Sequence, residues 1–197
     1  ITSPDNDCAL SDQEKVTAKF YNQSRKIKAD EELSFTLVSP ESTSYKETYI
    51  LSSALNTGDT IEWKFSSQTL DLSESKSYDV KAYVSYAKDI YPGNDTASKT
   101  IEVYGEAKPN LGRDTTVNAA SYTLDPGTFE AYQWQDGSQA DTFKVTPGKT
   151  TPNDKYHVTV TDEHGCEGSD TAKVILNIND IGISEIVNPV NPCCTSQ

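Results

Sequence analysis

Methionine is absent from this 197-residue sequence, and histidine occurs only twice, at His157 and His164. Basic residues are few: 17 Lys and Arg stand against 30 Asp and Glu, giving a net charge of −13. Binding a nucleic-acid backbone or an anionic membrane needs Lys- and Arg-rich faces, so both partners are excluded as expectations. No apolar run approaches the roughly 20 residues that cross a bilayer as a helix, which argues against membrane insertion. No signal-peptide pattern opens the chain. It begins at Ile1 and holds no Met, so the expectation is a mature form or an internal stretch of a longer protein. Hydrophobic residues make up only 35%, but 11 Tyr, 5 Phe and 2 Trp supply large buried areas per residue. That composition suits small all-β domains with thin cores rather than a disordered chain.

Cysteine is sparse too, at Cys8, Cys166, Cys193 and Cys194. The spacing matches no zinc pattern and neither histidine lies near a CxxC pair. Disulfides in an oxidising compartment are the better reading. There is no Walker loop, no GxGxxG and no GxSxG. His157 alternates with Tyr156 and Val158 and is expected on the solvent face of a strand. His164 sits in a turn, Asp162-Glu163-His164-Gly165. With no nucleophile motif beside either histidine, no enzymatic activity is expected.

What the sequence does contain is alternation with period two, the signature of half-buried strands. Val16, Ala18 and Phe20 share a face, as do Leu33, Phe35 and Leu37. Tyr45, Tyr49 and Leu51 follow, then Ile61, Trp63 and Phe65, then Val80, Ala82 and Val84, then Ile101 and Val103. Polar turns such as Asn56-Thr57-Gly58-Asp59 and Tyr91-Pro92-Gly93-Asn94-Asp95 separate the runs. After Lys108-Pro109-Asn110 a second, shorter set begins at 115–117, 122–124, 129–134, 142–145, 156–161 and 171–178, with Trp134 expected in its core. Short strands at regular spacing predict an all-β fold of two tandem antiparallel sandwiches. The expected domains are 1–106 and 107–179, with 180–197 as the first strand of a following repeat or an exchanged strand.

That last expectation rests on a repeat. Residues 1–8 read Ile-Thr-Ser-Pro-Asp-Asn-Asp-Cys, and residues 186–193 read Ile-Val-Asn-Pro-Val-Asn-Pro-Cys. Both fit Ile-x-x-Pro-x-Asn-x-Cys. Two similar loops are the plain alternative.

Several motifs carry a family resemblance. Over residues 1–105 they are Pro4-x-x-x-Cys8-x-Leu10 before Glu14-Lys15-Val16-Thr17, then Asn56-Thr57-Gly58-Asp59-Thr60 before Phe65. Asp71-Leu72, Tyr78-x-Val80-x-Ala82-Tyr83 and Asp89-x-x-x-x-Asn94-Asp95-Thr96 follow. In this order they resemble the bacterial cell-adhesion-related domain known as CARDB. The second unit resembles the Ig-like or PKD-like repeats of large surface adhesins exported by type IX secretion. It does so through Leu111-Gly112-x-Asp114-Thr115-Thr116, Tyr132-x-Trp134-x-x-Gly137-Ser138, Tyr156-x-Val158-x-Val160-Thr161-Asp162 and Gly165-Cys166-x-x-x-Asp170-Thr171. One departure is Asn118, where relatives often carry Cys. The resemblance implies a structural unit of an extended extracellular, cell-surface protein, a stalk, fibre or adhesin. Its partners are then neighbouring copies of itself or similar repeats. The alternatives are a module gripping glycan or protein through sandwich loops, with Tyr86, Tyr91 and Tyr132 as candidate contacts, or an accessory domain of a secreted hydrolase.

From the Ig-like topology that the resemblance implies, Cys8 lies in the first loop of one unit and Cys166 in the turn between the last two strands of the next. A disulfide joining the two units is the expectation, with Cys193 bonding to a following unit and Cys194 unassigned. Free thiols or a Cys193–Cys194 pair are the alternatives. No cofactor is expected. Asp89, Asn94 and Asp95 are the hard oxygen donors that calcium takes, although Asx residues stabilise turns without metal. Thr60, Thr96, Thr115 and Thr171 each follow Asp, resembling the O-glycosylation motif of the same bacteria. Asn22-Gln23-Ser24 and Asn94-Asp95-Thr96 fit the N-glycosylation sequon.

Overall fold

The computed structural model describes residues 1–147 and 152–178. Among them it is all-β: twelve strands, with two 3₁₀ turns at Pro92–Asn94 and Pro152–Asp154 and no α-helix. Two compact units divide the chain. The first comprises Ile1–Lys108 together with Phe129–Ala131 and Val160–Gly168. The second holds Pro109–Thr128, Tyr132–Thr159 and the described residues from Ser169 on.

In the first unit, β1 (Thr17–Tyr21) pairs with β4 (Thr60–Lys64) in a two-stranded sheet. Facing it is a four-stranded sheet in the order β3-β2-β5-β6. Its strands are β2 (Glu32–Val38), β3 (Ser44–Ile50), β5 (Ser77–Ser85) and β6 (Thr96–Glu102), all antiparallel. The period-two faces meet as expected. Val16, Ala18, Leu33, Phe35, Leu37, Val80, Ala82 and Ile101 are buried in one core with Phe65, Leu70 and Leu72. Aromatic rings pack together at one part of this core. Phe35 lies 4.6 Å from Trp63 and 4.8 Å from Phe20, and Tyr49 lies 5.4 Å from Trp63. Rings of this size let a chain with few aliphatic residues close a core.

The second unit contains the strands β7 (Thr115–Val117), β8 (Tyr122–Leu124), β9 (Ala131–Trp134) and β10 (Phe143–Val145). β11 (Lys155–Thr161) and β12 (Glu167–Leu176) complete the set, with residues 131, 160–161 and 167–168 at the ends of β9, β11 and β12 counted in the first unit. β10 pairs with β8, and the larger sheet runs β7-β12-β11-β9. Trp134 is 2% exposed, 5.1 Å from Phe143, and its indole donates to Ala140 O at 2.8 Å. One pairing departs from the antiparallel expectation: β7 runs parallel to β12 through Val174↔Thr115 and Leu176↔Val117. Parallel neighbours need a long connection. Here the first and last strands of the unit supply it, because the rest of the unit lies between them. Two carboxylates hold the incoming chain there. Asp170 accepts from Leu111 N at 2.7 Å, and Asp114 accepts from Lys173 N at 2.8 Å.

Candidate functional site

Residues 1–8 of the first unit are not a regular strand, yet they touch both of its sheets. Thr2 N and Ser3 N donate to Thr17 O, and Thr17 N returns a bond to Ser3 O, which extends the small sheet beyond β1. Four residues on, Asp7 N donates to Glu102 O and Tyr104 N donates to Asp7 O, in a parallel bridge at the end of β6. The segment therefore crosses from one sheet edge to the other and closes that side of the sandwich. Its side chains pin the crossing. Ile1 packs against the core and Pro4 is buried. The Asn6 amide accepts from Glu102 N at 2.9 Å and donates to Tyr104 Oη at 3.1 Å. Lys99 Nζ reaches back to Pro4 O at 2.8 Å and to the Asp5 carboxylate at 2.6 Å.

Cys8 ends this seam, and it is bonded to Cys166 with the Cα atoms 5.4 Å apart. Cys166 is presented by the turn that joins β11 to β12. The Asp162 carboxylate accepts from His164 N and Cys166 N, each at 2.9 Å, and Gly165 N donates to Asp162 O. Gly165 has φ +83°, a left-handed conformation that glycine adopts without strain. This is why the sequence Asp-x-x-Gly-Cys delivers the thiol at a fixed place. Both cysteines lie within the first unit as its contacts define it. Two further contacts seat the same turn. The His164 ring stacks on Tyr104 at 3.8 Å and 3°. Gly168 lies so close to Ala107 that a Cβ there would sit 1.8 Å from the Ala107 carbonyl oxygen. Sequence reasoning placed His164 in its turn but missed both contacts, since nothing local links residues some sixty positions apart.

The other expected residues fall into separate places. Asp89 and Asp95 face each other. Burial of Asp95, with the Asp89 charge and a hydrogen bond between them, pushes the Asp95 carboxyl up to about 6. Asp89 also accepts from Tyr91 N at 2.8 Å, and Asn94 N points back to Tyr91 O, so the group is built first as a turn. Among the described residues no group of three His, Cys, Asp or Glu is arranged to hold a metal ion. Thr60, Thr96 and Thr171 are exposed and Thr115 is half-buried. Thr171 Oγ1 lies 3.3 Å from the Nδ1 of His157, whose backbone position is exposed as expected. The Asn22 sequon is corrected: Asn22 is 8% exposed, and its amide donates to Arg25 O and Leu55 O, so it is occupied inside a loop network. Tyr91 is exposed, Tyr86 packs on the core, and the Tyr132 hydroxyl donates to Gly127 O. Cys193 and Cys194 lie outside the described residues.

On the side of the first unit away from the seam, β3 and β4 are both sheet edges. Between them opens a cleft of about 360 Å³ lined by Tyr49, Leu51, Ile61 and Trp63 among others. Of its lining residues, Trp63 is held by Glu47, whose carboxylate accepts from Trp63 Nε1 at 2.9 Å and from Ser66 N and Ser67 N at 2.8 and 2.6 Å. Partial burial pushes this carboxyl up, and the hydrogen bonds more than offset it, leaving it below the usual carboxylate value.

No family model matches the chain, and no curated protein matches it. Among solved structures it is similar to one described as the crystal structure of DIP-gamma IG1+IG2. The likeness is at a TM-score of 0.35 and 10% identity, over 84% of this chain and 98% of that one.

Proposed function

We propose that this protein is a force-carrying structural unit of an extended extracellular surface protein. The finer placement, among cell-adhesion-related and Ig-like repeats exported by type IX secretion, rests on the motif order of the sequence. One observation carries the functional reading: a covalent bond between residues 158 positions apart, one near the start of the chain and one near the end of its described part. When tension is applied between residue 1 and residue 178, the covalent path runs through Cys8, the sulfurs and Cys166. Residues 9–165 lie off that path. Strands β1 to β11 therefore carry no tension along their own backbone, and of the twelve strands only β12 stays on the loaded path. A disulfide of this span also belongs to an oxidising, extracytoplasmic setting, and the sequence is acidic enough to stay dispersed at a cell surface. The reading needs neither a catalytic group nor a cofactor.

The β3–β4 cleft favours a second reading, in which Tyr49 and Trp63 receive a sugar ring or an apolar side chain of a protein partner. Two experiments separate them. Gold-labelled antibody against the first unit, applied to intact cells, is expected to mark thin projections well away from the envelope. Label confined to the envelope surface overturns the structural reading. A glycan array probed with the purified chain is expected to stay blank, and a saturable signal lost in Trp63→Ala supports the binding module instead.

A further inference from the structure

Residues 1–8 close one side of the first unit, and the opposite side is open. There β3 and β4 are the outermost strands of their sheets, with the cleft between them. The hydrogen bonds of β4 follow a fixed alternation. Phe65 N donates to Val16 O at one end and Asn22 N donates to Asp59 O at the other, so Ile61 and Trp63 are the positions bonded to β1. The same alternation turns Thr17 of β1 away from β4 and toward Ser3, with which it exchanges hydrogen bonds. The N–H and C=O groups of Thr60, Glu62 and Lys64 therefore point out of the open side, and no other described strand meets them. An edge of this kind readily takes an added strand.

Charge selects the strand. Charged side chains on an edge commonly keep copies apart. Here Glu62 and Lys64 are exposed, and neither has an ion-pair partner among the described residues. They stand two positions apart on one face with opposite signs. Three registers keep most of β4 paired antiparallel with a second copy of itself. Centring on Glu62 sets two glutamates against each other. Centring on Ile61 sets Glu62 against Thr60 and Lys64 against Gly58. Centring on Trp63 sets Glu62 opposite the partner's Lys64, and two-fold symmetry makes that pair twice. Those same two positions carry the outward hydrogen-bonding groups, so ladder and charge agree. Trp63, half-buried at the cleft, comes opposite the partner's Trp63, and pairing also covers apolar surface. The other open edges of the first unit lack this pattern. The outward positions of β3 are Ser44, Lys46, Thr48 and Ile50, with charge of one sign, and Thr96, Ser98 and Thr100 of β6 carry none. We infer that β4 is a self-pairing edge: two copies of this chain join side by side, antiparallel and centred on Trp63, with each Glu62 opposite the partner's Lys64. This goes beyond the load-bearing reading, which concerns a single chain, and either can fail without the other.

Analytical ultracentrifugation of the full chain tests it, with Cys193→Ser and Cys194→Ser in every sample so that no disulfide links two copies. This parent chain is expected to form a reversible dimer as its concentration rises through the micromolar range. Glu62→Lys or Lys64→Glu places like charges opposite each other at both sites. Each variant alone is expected to weaken the dimer at least about tenfold. An equimolar mixture of the two variants is expected to restore it as a mixed dimer, one chain of each, because a positive edge then meets a negative one. The chain carrying both substitutions exchanges the two charges and is expected to dimerise as the parent does, which separates lost pairing from lost folding. Lys46→Glu, on the β3 edge, is expected to change nothing. A parent chain that stays monomeric into the submillimolar range overturns the inference. So does a dimer indifferent to both charge reversals, or one that neither the mixture nor the exchanged chain restores.

Discussion

The carboxyl group of Glu47 accepts three hydrogen bonds from Trp63, Ser66 and Ser67, and that of Asp95 faces Asp89. Their effects on stability run in opposite directions with pH. Glu47 is held below its ordinary 4.5, so its contribution is present above that pH and is lost as pH falls through the lowered value. Asp95 is raised from 3.8 to about 6, so its folded form holds a proton that the unfolded chain releases. Stability from this group is full below pH 3.8 and is lost as pH rises through about 6. Asp95→Asn is expected to stabilise the first unit at pH 7 by up to about 1 kcal/mol, small because the pair is largely solvated. The gain should vanish by pH 3.5, as read by urea denaturation at the two pH values. Glu47→Ala is expected to cost about 1–2 kcal/mol at pH 7 in the same assay, since three donors lose their acceptor. The two roles differ in how far the sequence showed them. Asp95 was visible as a turn residue, whereas Glu47 was not singled out, although period two sets it on the same face as Tyr45 and Tyr49. Only the fold brings Trp63 and the Ser66–Ser67 loop to it.

At the scale of elements the period-two pattern placed the strands closely, because side-chain alternation is what one buried face imposes on a strand. β5 and β11 show this best, with every second residue buried over most of their length. β12 shows the limit. It begins at Glu167, four residues before the expected start, because Glu167-Gly168-Ser169-Asp170 has no apolar alternation and is set by the turn before it. The parallel placement of β7 beside β12 was equally hidden, since it depends on Asp114 and Asp170 meeting distant backbone amides. The turn at 162–166 gives a sharp test. Gly168→Ala would put a Cβ into the Ala107 carbonyl, and that backbone has no room to yield cheaply. We expect a loss of at least about 2 kcal/mol in the thermal unfolding of the oxidised protein, the scale of a steric clash with buried backbone. Ser169→Ala, one residue on and exposed, should be nearly neutral. Equal melting of Gly168→Ala and the wild type would mean that the turn is not seated on Ala107.

For the whole molecule, the central claim is that the Cys8–Cys166 bond takes the covalent load off the chain between them. In the chain-entropy view a cross-link closing 158 residues also stabilises the folded state by about 5 kcal/mol. The pairing was expected from the Ig-like topology that the resemblance implies, which sets Cys8 in a first loop and Cys166 in the turn between two last strands. The supporting stack of His164 on Tyr104 was not. The direct measurement is single-molecule stretching of the wild-type chain held at both ends under constant force, before and after a reducing agent is added. The oxidised molecule is expected to extend only through residues outside the bond. Reduction is then expected to release a further length of about 550 Å, from 158 residues at ~3.5 Å each. Cys8→Ser should show that length from the outset. An oxidised wild-type chain that already extends to the length of Cys8→Ser, with no step on reduction, would contradict the account.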